Sequence, residues 1–169
     1  WPENLLLRQT IFFTAAVRIF SIPSPNGMRL NELRSSLEVI MSVIVRYDTA
    51  EELYNHHTKD EIVEWLHTHL EEYGDSRAAI ANALDYAFSK EKGKGGYVLT
   101  STSGDTLIGI LVMNFTGMKE YIPENIIVYI ATDSANAPLG SGADLLQYAI
   151  DNSEGELALH VEMDNSAKK

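Results

Sequence analysis

The sequence predicts an α/β (α+β) domain, a mixed β-sheet with helices packed against it. Three observations predict it. β-branched runs of strand length recur along the chain, amphipathic helical stretches fall between them, and the two kinds come in the order strand, two helices, three strands, helix, strand. No internal repeat interrupts that order.

Residues 1–41 read as an N-terminal extension without an assigned structure. Leu5–Phe13 and Ala15–Ile22 are apolar but have no clean period, and the prolines and glycine of Ser21–Gly27 end any helix. Leu30–Val39 looks helical, with Leu30, Leu33, Leu37 and Ile40 at three- and four-residue spacing, and Met41 is a candidate original start. Ser42–Tyr47 alternates and reads as the first strand. Asp60–Leu70 is helical, with Ile62, Val63, Leu66 and Leu70 on one face. Asp75 or Ser76 caps the next helix, whose apolar face is Ile80, Ala83, Leu84, Ala87 and Phe88. Glu91–Gly96 is a Lys/Gly link. Tyr97–Thr102 and Leu107–Phe115 are strands joined at Ser103-Gly104-Asp105, a hairpin signal. Ile126–Thr132 is apolar on both faces, as expected of a central strand covered on both sides. A helix over Gly142–Asn152 buries Leu145, Leu146, Ala149 and Ile150, and Leu157–Glu162 is the last strand.

Composition excludes more than it selects. The 169 residues suit one domain or one domain with an extension, and 45% hydrophobic against 22% charged residues is an ordinary globular balance. A formal net charge of −11, from 24 acidic and 13 basic side chains, repels nucleic acid and anionic membrane and attracts cations such as amines. The absence of cysteine rules out disulfides, thiolate zinc sites and a cysteine nucleophile. The apolar stretch Leu5–Phe20 contains Arg8, Gln9 and Arg18, so it is neither a bilayer span nor a signal peptide. The expected location is cytoplasmic. The chain opens on Trp1 and closes on a helix N-cap, Asn165 or Ser166, with almost no helix after it, which reads as a fragment.

The segment IVYIATDSANAPLGSGADLL, Ile127–Leu146, carries the chemistry. A buried strand runs into a loop whose Gly140 and Gly142 stand at the mouth of an amphipathic helix. Free amides and the helix dipole there suit an anion such as pyrophosphate, and glycine lets the backbone approach it. A lone Gly-x-Gly is a weak signal, and on these residues alone a plain strand-to-helix turn is the favoured reading.

The segment resembles the acetyl-CoA motif of the GNAT superfamily of N-acetyltransferases, Gln/Arg-x-x-Gly-x-Gly/Ala, with Ala137-Pro138-Leu139-Gly140-Ser141-Gly142 standing on it without gaps. The resemblance extends over residues 42–169, including VIVRYDT, the YGDS between two helices, SGDTLIGILV, NFTGMKEYIPENIIVYIATD and LALHVEMDNSAKK. It implies a mostly antiparallel mixed sheet with helices on both faces, without the last helix and strands of the fold. It implies acetyl transfer from acetyl-CoA to a primary amine of a small molecule or peptide by direct attack. The main chain of Ile130, Ala131 and Thr132 would hold the pantetheine between two parting strands, the amides of Leu139–Gly142 would hold the pyrophosphate, and Asn165 would touch the cofactor arm. Ala137 departs from the motif's Gln or Arg, Pro138 lacks an amide hydrogen, and the helix carrying the usual tyrosine acid would follow Lys169. These departures keep open a non-catalytic domain that binds CoA or a protein partner. An unfinished sheet would also leave an edge for the extension or a second copy of the chain, a homodimer.

Glu124, before the central strand, is the candidate general base, with Glu162 and Asp164 as further carboxylates; each is also an ordinary strand-end carboxylate. Tyr129 is either a core tyrosine with a satisfied hydroxyl or a lining residue of the substrate cleft. His67 and His69 are two apart on a helix and cannot chelate one ion together, His56 and His57 add no ligand pattern, and His160 packs, so no metal site is expected. Asn114-Phe115-Thr116 fits a glycosylation pattern without a secretory signal, and Trp65 belongs to a core or groove.

Overall fold

The computed structural model describes residues 42–71, 74–118 and 122–159. The readings for residues 1–41 and for His160, Glu162, Asp164 and Asn165 lie outside them. Five strands form one sheet in sequence order: β1 (Ser42–Tyr47), β2 (Gly96–Ser103), β3 (Thr106–Phe115), β4 (Asn125–Thr132) and β5 (Leu157–Leu159). The first four pair antiparallel, and β5 pairs parallel to β4 through Asn125–Leu157, Ile126–Ala158 and Ile127–Leu159. The parallel pair follows from the connection, because a helix carries the chain back along the sheet between these two strands. The hairpin turns on Gly104, in the left-handed region at φ 56°.

Among the described residues four helices accompany the sheet: α1 (Ala50–Tyr54), α2 (Lys59–Leu70), α3 (Arg77–Ala87) and α4 (Ser141–Asp151). Helix α2 begins in a capping box, where the Thr58 hydroxyl accepts from the Glu61 amide and the Glu61 carboxylate accepts from the Thr58 amide. Helices α2 and α3 cover one face, packing Ile62, Leu66, Ile80 and Leu84 against Val98, Ile110, Val112 and Tyr129. Helix α4 covers the other with Leu145 and Ala149 against Leu99, Leu111 and Ile127. The mixed, mostly antiparallel sheet with helices on both faces is therefore the observed fold.

Two details depart from the sequence reading, and the structure chooses between the alternatives of a third. Helix α1 was not expected: at five residues it is too short to show a period, and it forms because the Thr49 hydroxyl accepts from the Glu52 amide while Leu53 is fully buried. Of the two candidate caps for α3, Ser76 is the one used, accepting from the Ala79 amide, which frees the Asp75 carboxylate for another partner. Ile150 is 49% exposed, because the stripe that meets the sheet runs through Leu145 and Ala149 and rotates Ile150 off it.

Candidate functional site

The site is built on β4. Its ladder with β3 runs Tyr129 to Val112 and then Ile127 to Met113, leaving Val128 as an extra residue. Such a bulge bends the strand and breaks side-chain alternation. Val128 and Tyr129 accordingly both pack on the α2–α3 side, while Ile127 and Ile130 pack on the α4 side. The bulge begins one residue after Ile127, which pairs with the last described residue of β5. Beyond it, Ile130, Ala131 and Thr132 pair with Leu111, Ile110 and Gly109 on the β3 side. The β5 residues that would face them lie outside the described residues.

Asp133 fastens the loop that follows. Its amide donates to the Ile108 carbonyl at 2.9 Å, tying the loop to β3, and its own carbonyl accepts from the Ala137 amide at 2.7 Å. Its carboxylate accepts from the amides of Ala135 and Asn136, at 2.9 and 3.2 Å, and from the Asn136 side chain at 2.7 Å. The Asn136 side-chain bond, joined by the two amides and by nearby His69, holds the Asp133 carboxyl below the usual carboxylate range. The chain then turns on Gly140, at φ 98° and ψ −4°, which is the N-cap of α4 and makes no side-chain cap.

The fate of each amide around this turn decides what it can bind. Ala137 donates to Asp133, Pro138 has no N–H, and Ser141 is buried with both its amide and hydroxyl on the Pro138 carbonyl, at 3.1 and 2.7 Å. Asp144 donates back to the Gly140 carbonyl at 2.9 Å. Among the described residues, the amides of Leu139, Gly140, Gly142 and Ala143 have no acceptor. Leu139 is fully exposed, at 107% of its reference area, so this group of donors faces solvent. No side chain covers Gly140, and a Cβ on it would meet nothing within 4 Å. The donors, the dipole of an eleven-residue helix and the missing side chains fit a diphosphate. Asp144, in the same first turn, lines a cleft with Ser42, Ile44, Gln147 and Tyr148 between α4 and β1.

Glu124 stands at the other end of β4. Its Oε2 accepts from the Glu156 amide at 2.9 Å and occupies the space above Gly155, while Asn125 Nδ2 donates to the carbonyls of Glu154 and Glu156. These residues fasten the start of β4 to the approach to β5.

A second arrangement escaped the sequence reading. The hydroxyl of Tyr129, a residue only 8% exposed, donates to Asp75 Oδ2 at 2.7 Å across the α2–α3 connection. Burial first, and the Asp75 carboxylate next, push the Tyr129 hydroxyl well above its ordinary range. The buried hydroxyl was foreseeable; its partner, 54 residues earlier in the chain, was not. The connection itself holds Glu71 at φ 52°, a left-handed conformation that non-glycine residues seldom adopt. Among the described residues there is no group of three or more His, Asp or Glu side chains that could hold a metal ion, and no helix long and apolar enough to cross a membrane.

No protein-family model matches this sequence, and no curated protein does. Among solved structures, a possible acetyltransferase from Clostridium difficile 630 superposes with a TM-score of 0.51 at 16% identity, covering 75% of this chain and 84% of that one. An integron cassette protein from the mobile metagenome of V. cholerae aligns at 20% identity with a TM-score of 0.49, covering 75% of this chain and 79% of that one. The chain has a GNAT-like fold.

Proposed function

We propose that this protein is an acetyl-CoA-dependent N-acetyltransferase acting on a primary amine. The observation that carries the reading is the exposed glycine turn at the mouth of α4, where four amides are left without acceptors at the end of a bulged strand. The GNAT-like fold supports it. Leu139, Gly140, Gly142 and Ala143 would receive the diphosphate through their main chain. Ser141 contributes by closing the turn on Pro138 rather than by donating outward. Ile130, Ala131 and Thr132 would receive the pantetheine along the outer edge of β4, and Asn165 remains a candidate contact to it. Acetyl-CoA supplies an activated thioester carbonyl for attack by the amine. Glu124 was the sequence candidate for the base; its carboxylate is held by the Glu156 amide, so base action would have to share it with that bond. Calorimetric titration of CoA into the whole chain tests the reading. Binding that weakens when Gly142 becomes Glu is the expected result, and absence of binding rejects it.

A second reading rests on Ala137 and Pro138. Neither offers an outward donor, so a diphosphate site would begin only at Leu139. A domain of this fold that binds CoA without turnover, or that binds a protein partner, would tolerate such a loss. The Ala137→Arg, Pro138→Gly double variant separates the two readings. Tighter CoA binding marks a weakened phosphate site; unchanged binding marks a turn that was never one.

A further inference from the structure

We propose that Asp75, positioned by Tyr129, is the counter-ion that receives the cationic amine; the proposal rests on the transferase reading above.

The argument begins with the bulge. By turning Tyr129 to the α2–α3 side, it sends a long polar side chain from the middle of β4 up to the connection between the two helices. Tyr129 immediately precedes Ile130, the first of the three residues assigned to the pantetheine. The Asp75 carboxylate thus stands one tyrosine side chain from the main chain where the thioester would lie. That bond fixes one oxygen and leaves Asp75 Oδ1 without a partner among the described residues.

Among the described residues no basic side chain is paired with this carboxylate. Arg77, the first residue of α3, is committed to Glu64 through two bonds of 2.6 and 2.7 Å. His67 Nδ1 lies 3.3 Å from the Asp75 carbonyl, not its carboxylate, and His69 packs against Trp65 with ring centroids 4.2 Å apart and the planes tilted by 41°. An exposed carboxylate held in place by a buried hydroxyl, with no ion-pair partner among the described residues, is arranged to take an external cation. A primary ammonium fits, because it brings donors and a charge to an acceptor whose orientation is already fixed. Asp75 would touch the substrate, and Tyr129 would act through it as a positioning residue.

The test is an NMR titration of the full chain with butylammonium chloride, following the Asp75 side-chain carboxyl carbon and the Tyr129 ring. Sodium chloride and 1-butanol serve as controls for ionic strength and for the apolar tail. The expected result is a saturable shift at Asp75 and at the Tyr129 ring with butylammonium alone, the ring response absent in Asp75→Asn and the affinity read at Asp75 roughly threefold to tenfold weaker in Tyr129→Phe. Asn keeps an acceptor for the tyrosine hydroxyl, so that variant preserves the fold while removing the charge. Equal shifts with sodium chloride, or butylammonium affinity unchanged in Asp75→Asn, would overturn the proposal. CoA calorimetry on the same samples keeps the two ideas apart. CoA binding with a silent Asp75 rejects the counter-ion alone, whereas an Asp75 response without CoA binding supports the cation site and rejects the transfer.

Discussion

The two glycines of the α4 turn should respond to alanine with opposite signs. Gly140 is at φ 98°, and an added Cβ would meet nothing within 4 Å, so its substitution has no steric term and only a backbone one. Forcing an L-residue into a left-handed conformation costs about 1–2 kcal/mol. Gly142 is already helical, and a Cβ there would sit 3.6 Å from Thr132 Cγ2, an ordinary contact. Alanine at that position should stabilise the first turn of α4 by about 0.5 kcal/mol, the low end of the Gly-to-Ala range. For a chain of this length each kcal/mol moves the midpoint by roughly 2–4 °C, so Gly140→Ala should melt about 2–8 °C lower and Gly142→Ala about 1–2 °C higher. Urea unfolding, with m unchanged, checks that the native state is what moved. CoA affinity should fall in Gly140→Ala, which reshapes the turn, and stay within about threefold in Gly142→Ala, whose methyl points at Thr132. Shifts of the same sign in the two variants would refute the geometry assigned to the turn.

Other expectations follow from the same contacts. Asp75→Ala leaves a buried tyrosine hydroxyl unpaired and should lower stability by about 2 kcal/mol, more than Tyr129→Phe at about 1 kcal/mol, because the exposed carboxylate is then resolvated; urea unfolding of both and of the double variant measures the coupling. The Asp133 carboxyl is depressed in the folded state, so its contribution is present above its unfolded value and lost as pH falls through the folded one. CoA affinity should therefore weaken on the acid side through Asp133, and Asp133→Asn should weaken it at neutral pH and remove that limb. Glu124→Gln should loosen the β4–β5 junction by about 1 kcal/mol, read as earlier exchange of the Glu156 amide. Leu84→Ala, at a fully buried side chain between α3 and the sheet, should cost about 2–5 kcal/mol in urea unfolding.

The parts of this fold that were readable from sequence are those where one local signal decides. Strand β4 is apolar on both faces because helices cover both, the α2 and α3 faces follow a helical period, and Gly104 marks the hairpin. The bulge was not readable for the same reason that β4 was. Ile126, Ile127, Val128 and Tyr129 are all apolar in character, so there was no alternation whose failure could betray an extra residue. At the glycine turn, sequence indicated which amides sit at a helix mouth but not which were already engaged. The loss of Ser141 to the Pro138 carbonyl, and the gain of Ala143, depend on how the loop folds back on itself. The Tyr129–Asp75 bond joins residues brought together only by packing α2 and α3 on the sheet.

Strand β4 explains why these features belong together. At its far end the chain enters an exposed turn whose outward amides survive because Asp133 gathers in those of Ala135, Asn136 and Ala137. In its middle the bulge commits Tyr129 to the opposite face from α4, toward Asp75. An anion at the turn and a cation at Asp75 would then approach one strand from opposite directions, with Ile130–Thr132 between them. Had β4 alternated regularly through Val128, keeping Ile127 toward α4 would also have put Tyr129 there, away from Asp75. The extra residue is thus what would allow one strand to present the proposed anion site at its end and the proposed cation site on its face together.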